Sequence, residues 1–209
     1  RTLTHTLVSA PGERRQAEDG IGDFVRELHD QRLSIDEFNH YAKRGTDALS
    51  KFLHTEYDSF TPAQKAELNF ASQGVTLGDA RLTGSLDLVD INDNHIFVTD
   101  YKTGKPSTSW TGRGDYEKIK LHKYRQQLMF YQLLCQHSRD YASYEFDGAI
   151  LQFVEPDSHG NIHSLDQTFS AEELAQFAAL ITAVWRCIIT LELPDASDYS
   201  ADYKGILQF

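Results

Sequence analysis

The sequence predicts a mixed α/β domain, a central sheet flanked by helices with a helical elaboration at its N-terminal end. Three observations predict it. Capped segments with helical apolar spacing lie towards both ends of the chain. Two strand-like runs meet at Asp93-Asn94 in the middle. A mostly apolar run, Gly148 to Val154, reads as a buried strand. With 209 residues, 40% hydrophobic and 24% charged, the chain suits one globular body with a full core. Residues 1–65 form its helical N-terminal region and 66–209 its core.

Each element has its own signal. A helix over Gly22 to His29 comes first. Ser34-Ile-Asp-Glu37 is a capping box that opens a helix to about Tyr57, with Phe38, Tyr41, Ala42, Leu49, Phe52 and Leu53 at helical spacing. Thr61-Pro62 starts a short turn, with Pro at the favoured first position. Three antiparallel strands follow, Glu67 to Leu77, Arg81 to Ile91 and His95 to Tyr101, with turns at Gly78-Asp79 and Asp93-Asn94. Lys105 to Gly114, with Pro, Ser, Thr and two Gly, reads as a mobile loop. A long helix runs from Tyr116 to Ser138. Ile162 to Phe169 is the neighbour of the buried strand. Ser170-Ala-Glu-Glu173 caps a last helix to Leu191, and the tail from Pro194 shows no periodicity.

The chemistry gathers at the second turn. Asp100 and Lys102 are two apart, so on a strand they share a face. A two-residue turn at Asp93-Asn94 pairs Asn92 with His95, and the same register brings Asp87 opposite Asp100. Two carboxylates about 5 Å apart at Cβ destabilise a sheet unless a positive charge lies between them. A hard divalent cation, Mg²⁺ or Mn²⁺, fits, with Lys102 beside it to orient water or take up charge on a phosphate. Asp90, three residues from Asp87, faces the other way. Gln127 and Tyr131, four apart, stack on one helix face.

Other chemistries lack their signatures. Cys135 and Cys187 form no C-x-x-C pair, which leaves zinc and iron–sulfur sites unsupported and suits a reduced, cytoplasmic protein. No phosphate-binding G-x-x-x-x-G-K-[ST] loop is present, so no nucleotide is expected to bind, and no G-x-S-x-G elbow marks a serine hydrolase. No run reads as long and apolar enough to span a membrane, and no membrane partner is expected. A chain that opens on Arg1 reads as a fragment, a processed product or an excised domain.

Gly84-Ser-Leu-Asp87, then Asp100-Tyr101-Lys102-Thr103-Gly104, then Gln127-Leu-Met-Phe-Tyr131 resemble, in order and spacing, the PD-(D/E)XK nucleases. The match is to the RecB-like domains found alone or at the C-terminus of UvrD/Rep-type helicases. The resemblance implies a restriction-endonuclease-like core and metal-dependent hydrolysis of DNA phosphodiesters. It implies Asp87, Asp100 and the backbone carbonyl of Tyr101 as metal ligands, Lys102 as the catalytic lysine, and Gln127 and Tyr131 as catalytic partners. It further implies exonuclease action on single strands or free ends, and a fused or bound helicase in repair or recombination. Relatives often carry an acidic residue near Glu67 and a histidine in an N-terminal helix. His5 and His29 are the candidates for that histidine, but neither has the Gly-x-x-x-His setting.

A net charge of −11 opposes this reading, because surfaces that bind DNA are usually basic. The stretch with Arg113, Lys118, Lys120, Lys123 and Arg125 is locally basic and is the expected DNA contact. The rival readings are a catalytically weak or inactive nuclease-derived binding or scaffolding domain, and a structural Ca²⁺ site, which would want more oxygen ligands.

Overall fold

The computed structural model describes residues 16–61 and 63–209. His5 and Pro62 lie outside the described residues. Helix α1 (Ala17–His29) starts five residues earlier than expected, with Glu18 and Asp19 in its first turn and Arg26 and His29 in its last, each suiting the helix dipole. Helix α2 (Ile35–Glu56) opens on the predicted box: Glu37 N–H donates to Ser34 Oγ, and Ser34 N–H donates to the Glu37 carboxylate. A 3₁₀ turn, Tyr57–Ser59, ends it.

The first two expected strands are each broken. Strand β1 is Lys65–Asn69. The chain then turns at Gly74, where φ is +68°, into a small hairpin of β2 (Thr76–Leu77) and β3 (Ala80–Arg81) around Gly78-Asp79. Strand β4 is Ser85–Asn92 and β5 is His95–Lys102. Asn92 pairs with His95 as the turn chemistry requires, and of Asp93 and Asn94 only Asp93 has positive φ.

Helix α3 (Asp115–Gln136), strands β6 (Glu145–Phe153) and β7 (Ser164–Gln167), and helix α4 (Ala171–Thr190) complete the expected order. A short helix, α5 (Tyr203–Gln208), lies in the tail. The loop from Lys105 to Gly114 is tied down where a mobile one was expected. Ser107 is buried and donates to Glu117, and Trp110 Nε1–H donates to the Asp166 carbonyl.

The sheet order is β1-β4-β5-β6-β7. β5 and β6 are parallel and the other pairs antiparallel, so α3 forms the crossover that a parallel pair needs. Leu121, Leu128, Tyr131, Leu134 and Cys135 of α3 pack on one face of the sheet. Leu49, Phe52 and Leu53 of α2 pack with Leu88 and Val154 on the other. Burying each Leu or Phe among them stabilises the fold by roughly 1.5–3 kcal/mol. The result is a five-stranded mixed sheet between helices, as expected of a restriction-endonuclease-like core.

Helix α4 corrects one expectation. By length and composition it could cross a membrane, with a mean hydropathy of 1.3, because its Ile, Leu, Val and Ala outweigh Gln176, Thr182 and Arg186. In the fold it lies against the domain: Leu174 is buried with Leu77 and Leu133, and Phe177 and Ile181 pack beside them. Leu180, Val184 and Ile188 on its outer side are exposed.

Candidate active site

The site lies where β4 and β5 part. Their register, if extended, would bring Asp87 opposite Asp100, but pairing stops at Leu88 and Thr99. Asp87 Oδ2 instead accepts the Tyr101 backbone N–H at 2.9 Å, so a carboxylate takes the place of the next rung. Gly84, three residues before, gives α3 its close approach: a Cβ there would come within 2.9 Å of Leu134 Cδ1.

Asp100 is 1% exposed, so its carboxyl must find partners inside the protein. Tyr131 Oη donates to Oδ1 at 2.8 Å. Gln127 Nε2 donates to Tyr131 Oη at 2.6 Å, and Lys102 Nζ donates to Gln127 Oε1 at 2.6 Å. Lys102 Nζ also stands 2.7 Å from Asp100 Oδ2, which closes a ring of four side chains. The ammonium is misaligned there, so Oδ2 has charge compensation but no hydrogen-bond donor among the described residues. Burial pushes the Asp100 carboxyl above its ordinary value, Lys102 and Tyr131 pull it back, and the charge of Asp87 raises it further. Burial, reinforced by Asp100, holds Tyr131 protonated, so it remains a donor.

The structure therefore brings Asp87, Asp100, Tyr101, Lys102, Gln127 and Tyr131 into one place. It adds Tyr124, whose ring lies 4.5 Å from Lys102 Nζ. Sequence reasoning missed this residue, although 124, 127 and 131 recur at helical spacing on one face.

Other expected site residues fall elsewhere. Glu67 lies across from Asp87 by the register of β1 and β4, but its φ of +52° interrupts the ladder there. His29, at the end of α1, is exposed and meets Phe38 edge-on at 5.9 Å. Among the described residues no three His, Cys, Asp or Glu side chains group as a metal site. Asp90 accepts from Gln64, at the opposite end of the hairpin strand from the site.

The basic stretch divides between two faces of α3, because residues two or five apart point to different sides of a helix. Lys120 lies 6.0 Å from the Tyr124 ring, on the side of the site. Lys118 and Arg125 line a separate cavity of about 280 Å³ with Trp110, His122 and Tyr203. Arg125 is paired with Glu173 and lies over the Phe169 ring. Lys123 and Arg113 are exposed.

A larger cleft, of about 530 Å³, opens between the N-terminal helices and the sheet. Asp87 and Tyr101 line it as well as belonging to the site. Arg44 of α2 makes a two-pronged ion pair with Glu155, at 2.7 and 2.9 Å, and Glu155 also accepts the Gly104 N–H at 2.6 Å. Neither Arg44 nor Glu155 had a sequence signal, since they are 111 residues apart.

The donor set fits a hydrated hard cation better than a soft or fully caged one. Two carboxylates offer oxygen ligands only, and Asp100 Oδ2 is left without a donor among the described residues. Cys135 contributes nothing, because burial pushes its thiol up to about 12.

The fold and this array define a nuclease-like α/β domain built around an Asp-x-Lys strand. A family model for the PD-(D/E)XK nuclease superfamily matches residues 2–202, and the chain belongs to that superfamily. No curated protein matches the chain. Among solved structures, the crystal structure of SSO0001 aligns over 87% of this chain and 98% of its own, at 13% identity and a TM-score of 0.36.

Proposed function

We propose that this domain is a Mg²⁺- or Mn²⁺-dependent deoxyribonuclease, acting as an exonuclease on single strands or free ends. The supporting observation is the ring of Asp100, Lys102, Gln127 and Tyr131, which fixes a buried carboxylate and an ammonium side by side next to Asp87. Membership of the superfamily adds to it.

Asp87, Asp100 and the carbonyl of Tyr101 would hold the ion, which when bound supplies an acidified water and stabilises charge on the phosphate. Lys102 then takes up negative charge as it develops on the phosphate oxygens. Gln127 orients Lys102 by accepting a hydrogen bond from its ammonium, and Tyr131 keeps Asp100 in place through Oδ1. Lys120 and Lys123 carry the incoming backbone. A helicase, fused or bound, would deliver the strand, and repair or recombination is the setting that this implies.

One observation favours the rival reading of an inactive binding domain: Lys102 already neutralises Asp100 without a metal, and among the described residues no third acidic side chain joins the pair. End-labelled single and double strands incubated with Mn²⁺ decide between the two. Cleavage that Asp100→Ala abolishes supports the nuclease. Binding without cleavage at any divalent ion supports the rival.

A further inference from the structure

We propose that the cleft between the N-terminal helices and the sheet receives one unpaired nucleobase of the strand whose phosphate lies at Asp87 and Asp100, with Tyr41 as its stacking face. The inference rests on the nuclease reading and names what that site selects.

The cleft and the site share a wall. Along β5, Asp100 and Lys102 turn towards Tyr131 and Gln127 of α3, whereas Tyr101 packs against Phe52 and Phe60 under α2. Asp87 belongs to both sides, as it accepts the Tyr101 N–H and lines the cleft. A nucleotide with its phosphate at Asp87 therefore has the cleft within reach of its base. The volume of about 530 Å³ is that of a small-molecule pocket.

The lining suits a flat, apolar-faced, neutral group. Phe24, Phe52, Phe60 and Tyr101 give it aromatic walls, and Tyr41 is 44% exposed, so a ring is available for stacking without disturbing the core. Bases of every kind present a π-face, so such a wall accepts single strands with little regard to sequence. Of the charged residues that line it, Arg44 and Glu155 neutralise each other, and Asp87 stands at the wall shared with the site, where the phosphate would lie. A paired base cannot enter without leaving its stack, which costs unpairing energy and disfavours duplex. The cleft thus provides a physical basis for choosing single strands that the ring around Asp100 alone does not contain.

Short fluorescent oligothymidylates in which each base in turn is replaced by an abasic unit test the proposal. Binding is read by anisotropy in Ca²⁺, and cleavage separately in Mn²⁺. The expected result is a loss of roughly tenfold or more at one position only. Tyr41→Ala should show the same loss on the intact strand and little further loss on the strand abasic at that position, while Tyr41→Trp binds like the parent. Equal losses at every position overturn the proposal, as do losses from Tyr41→Ala and the abasic unit that simply multiply. Cleavage without any positional effect would leave the nuclease reading standing and remove this one. A positional effect without cleavage would do the reverse.

Discussion

At the scale of single residues, a measurement can separate the two roles proposed for Lys102. Its ammonium stands 2.7 Å from Asp100 Oδ2, where a cation would compete with it. Lys102→Ala should therefore lower kcat by roughly 100-fold or more, through loss of transition-state charge stabilisation. It should leave Mn²⁺ affinity equal or raised. Metal titration alongside single-turnover rates checks both, and a weakened Mn²⁺ affinity with unchanged turnover would contradict the assignment. Tyr131→Phe removes the only donor to Asp100 Oδ1 among the described residues. An unsatisfied buried acceptor costs about 1–3 kcal/mol, which urea unfolding should show as a lower midpoint at unchanged slope. Asp100 with Lys102, and Gln127 with Tyr131, were legible because each pair lies within one element. That the two pairs join into a ring was not, because the hydrogen bond from Lys102 to Gln127 spans 25 residues and depends on how α3 docks.

At the scale of elements, α3 presents its charges to two different places. Lys120→Glu combined with Lys123→Glu should weaken single-strand binding and flatten the salt dependence by about 0.7 for each phosphate no longer neutralised. Lys118→Glu, on the side of the separate cavity, should change the slope little. Anisotropy at several salt concentrations distinguishes them. His95 opens β5, and Asp147 of β6 holds its imidazole above the ordinary value, chiefly through a hydrogen bond at 2.8 Å. Because the folded value is raised, this pair stabilises fully below the ordinary 6.5 and loses its contribution as pH rises through the raised value. His95→Gln should flatten melting temperature against pH in that window. The hairpin turn and the capping boxes at Ser34 and Ser170 were readable because they are local chemistry. The break after β1 left only Gly74 as a signal, and α5, at six residues, is too short for a period to emerge.

At the scale of the whole molecule, the two helical layers meet the sheet by different means. Both sides pack apolar side chains on the sheet, but the α3 side adds the ring around Asp100, whereas the α2 side adds the Arg44–Glu155 bridge. Gly45 matters to the second layer, since a Cβ there would run into the Phe24 ring. Gly45→Ala must push Phe24 aside and loosen α1 from α2. A loss of about 1–3 kcal/mol is expected, read as a lower melting temperature. The α/β class and the order of elements could be read from apolar period and caps. The cleft could not, because it is formed by segments far apart in the sequence, the N-terminal helices, β4, the end of β5 and the end of β6.

The central place of β5 has a consequence for hydrogen exchange. It is bonded to β4 on one side and, through Lys102 opposite Phe153, to β6 on the other. Its amides should exchange only when the whole domain opens, whereas α1, packed on α2 at the margin, can open by itself. Deuterium labelling should find the strand bearing Asp100 and Lys102 among the last segments to exchange and Ala17–His29 among the first. On gentle warming, the cleft, which takes Phe24 and Leu28 from that helix, would then open before the strand that bears Asp100 and Lys102 does, so the base selectivity proposed for it should be lost before the proposed cleavage.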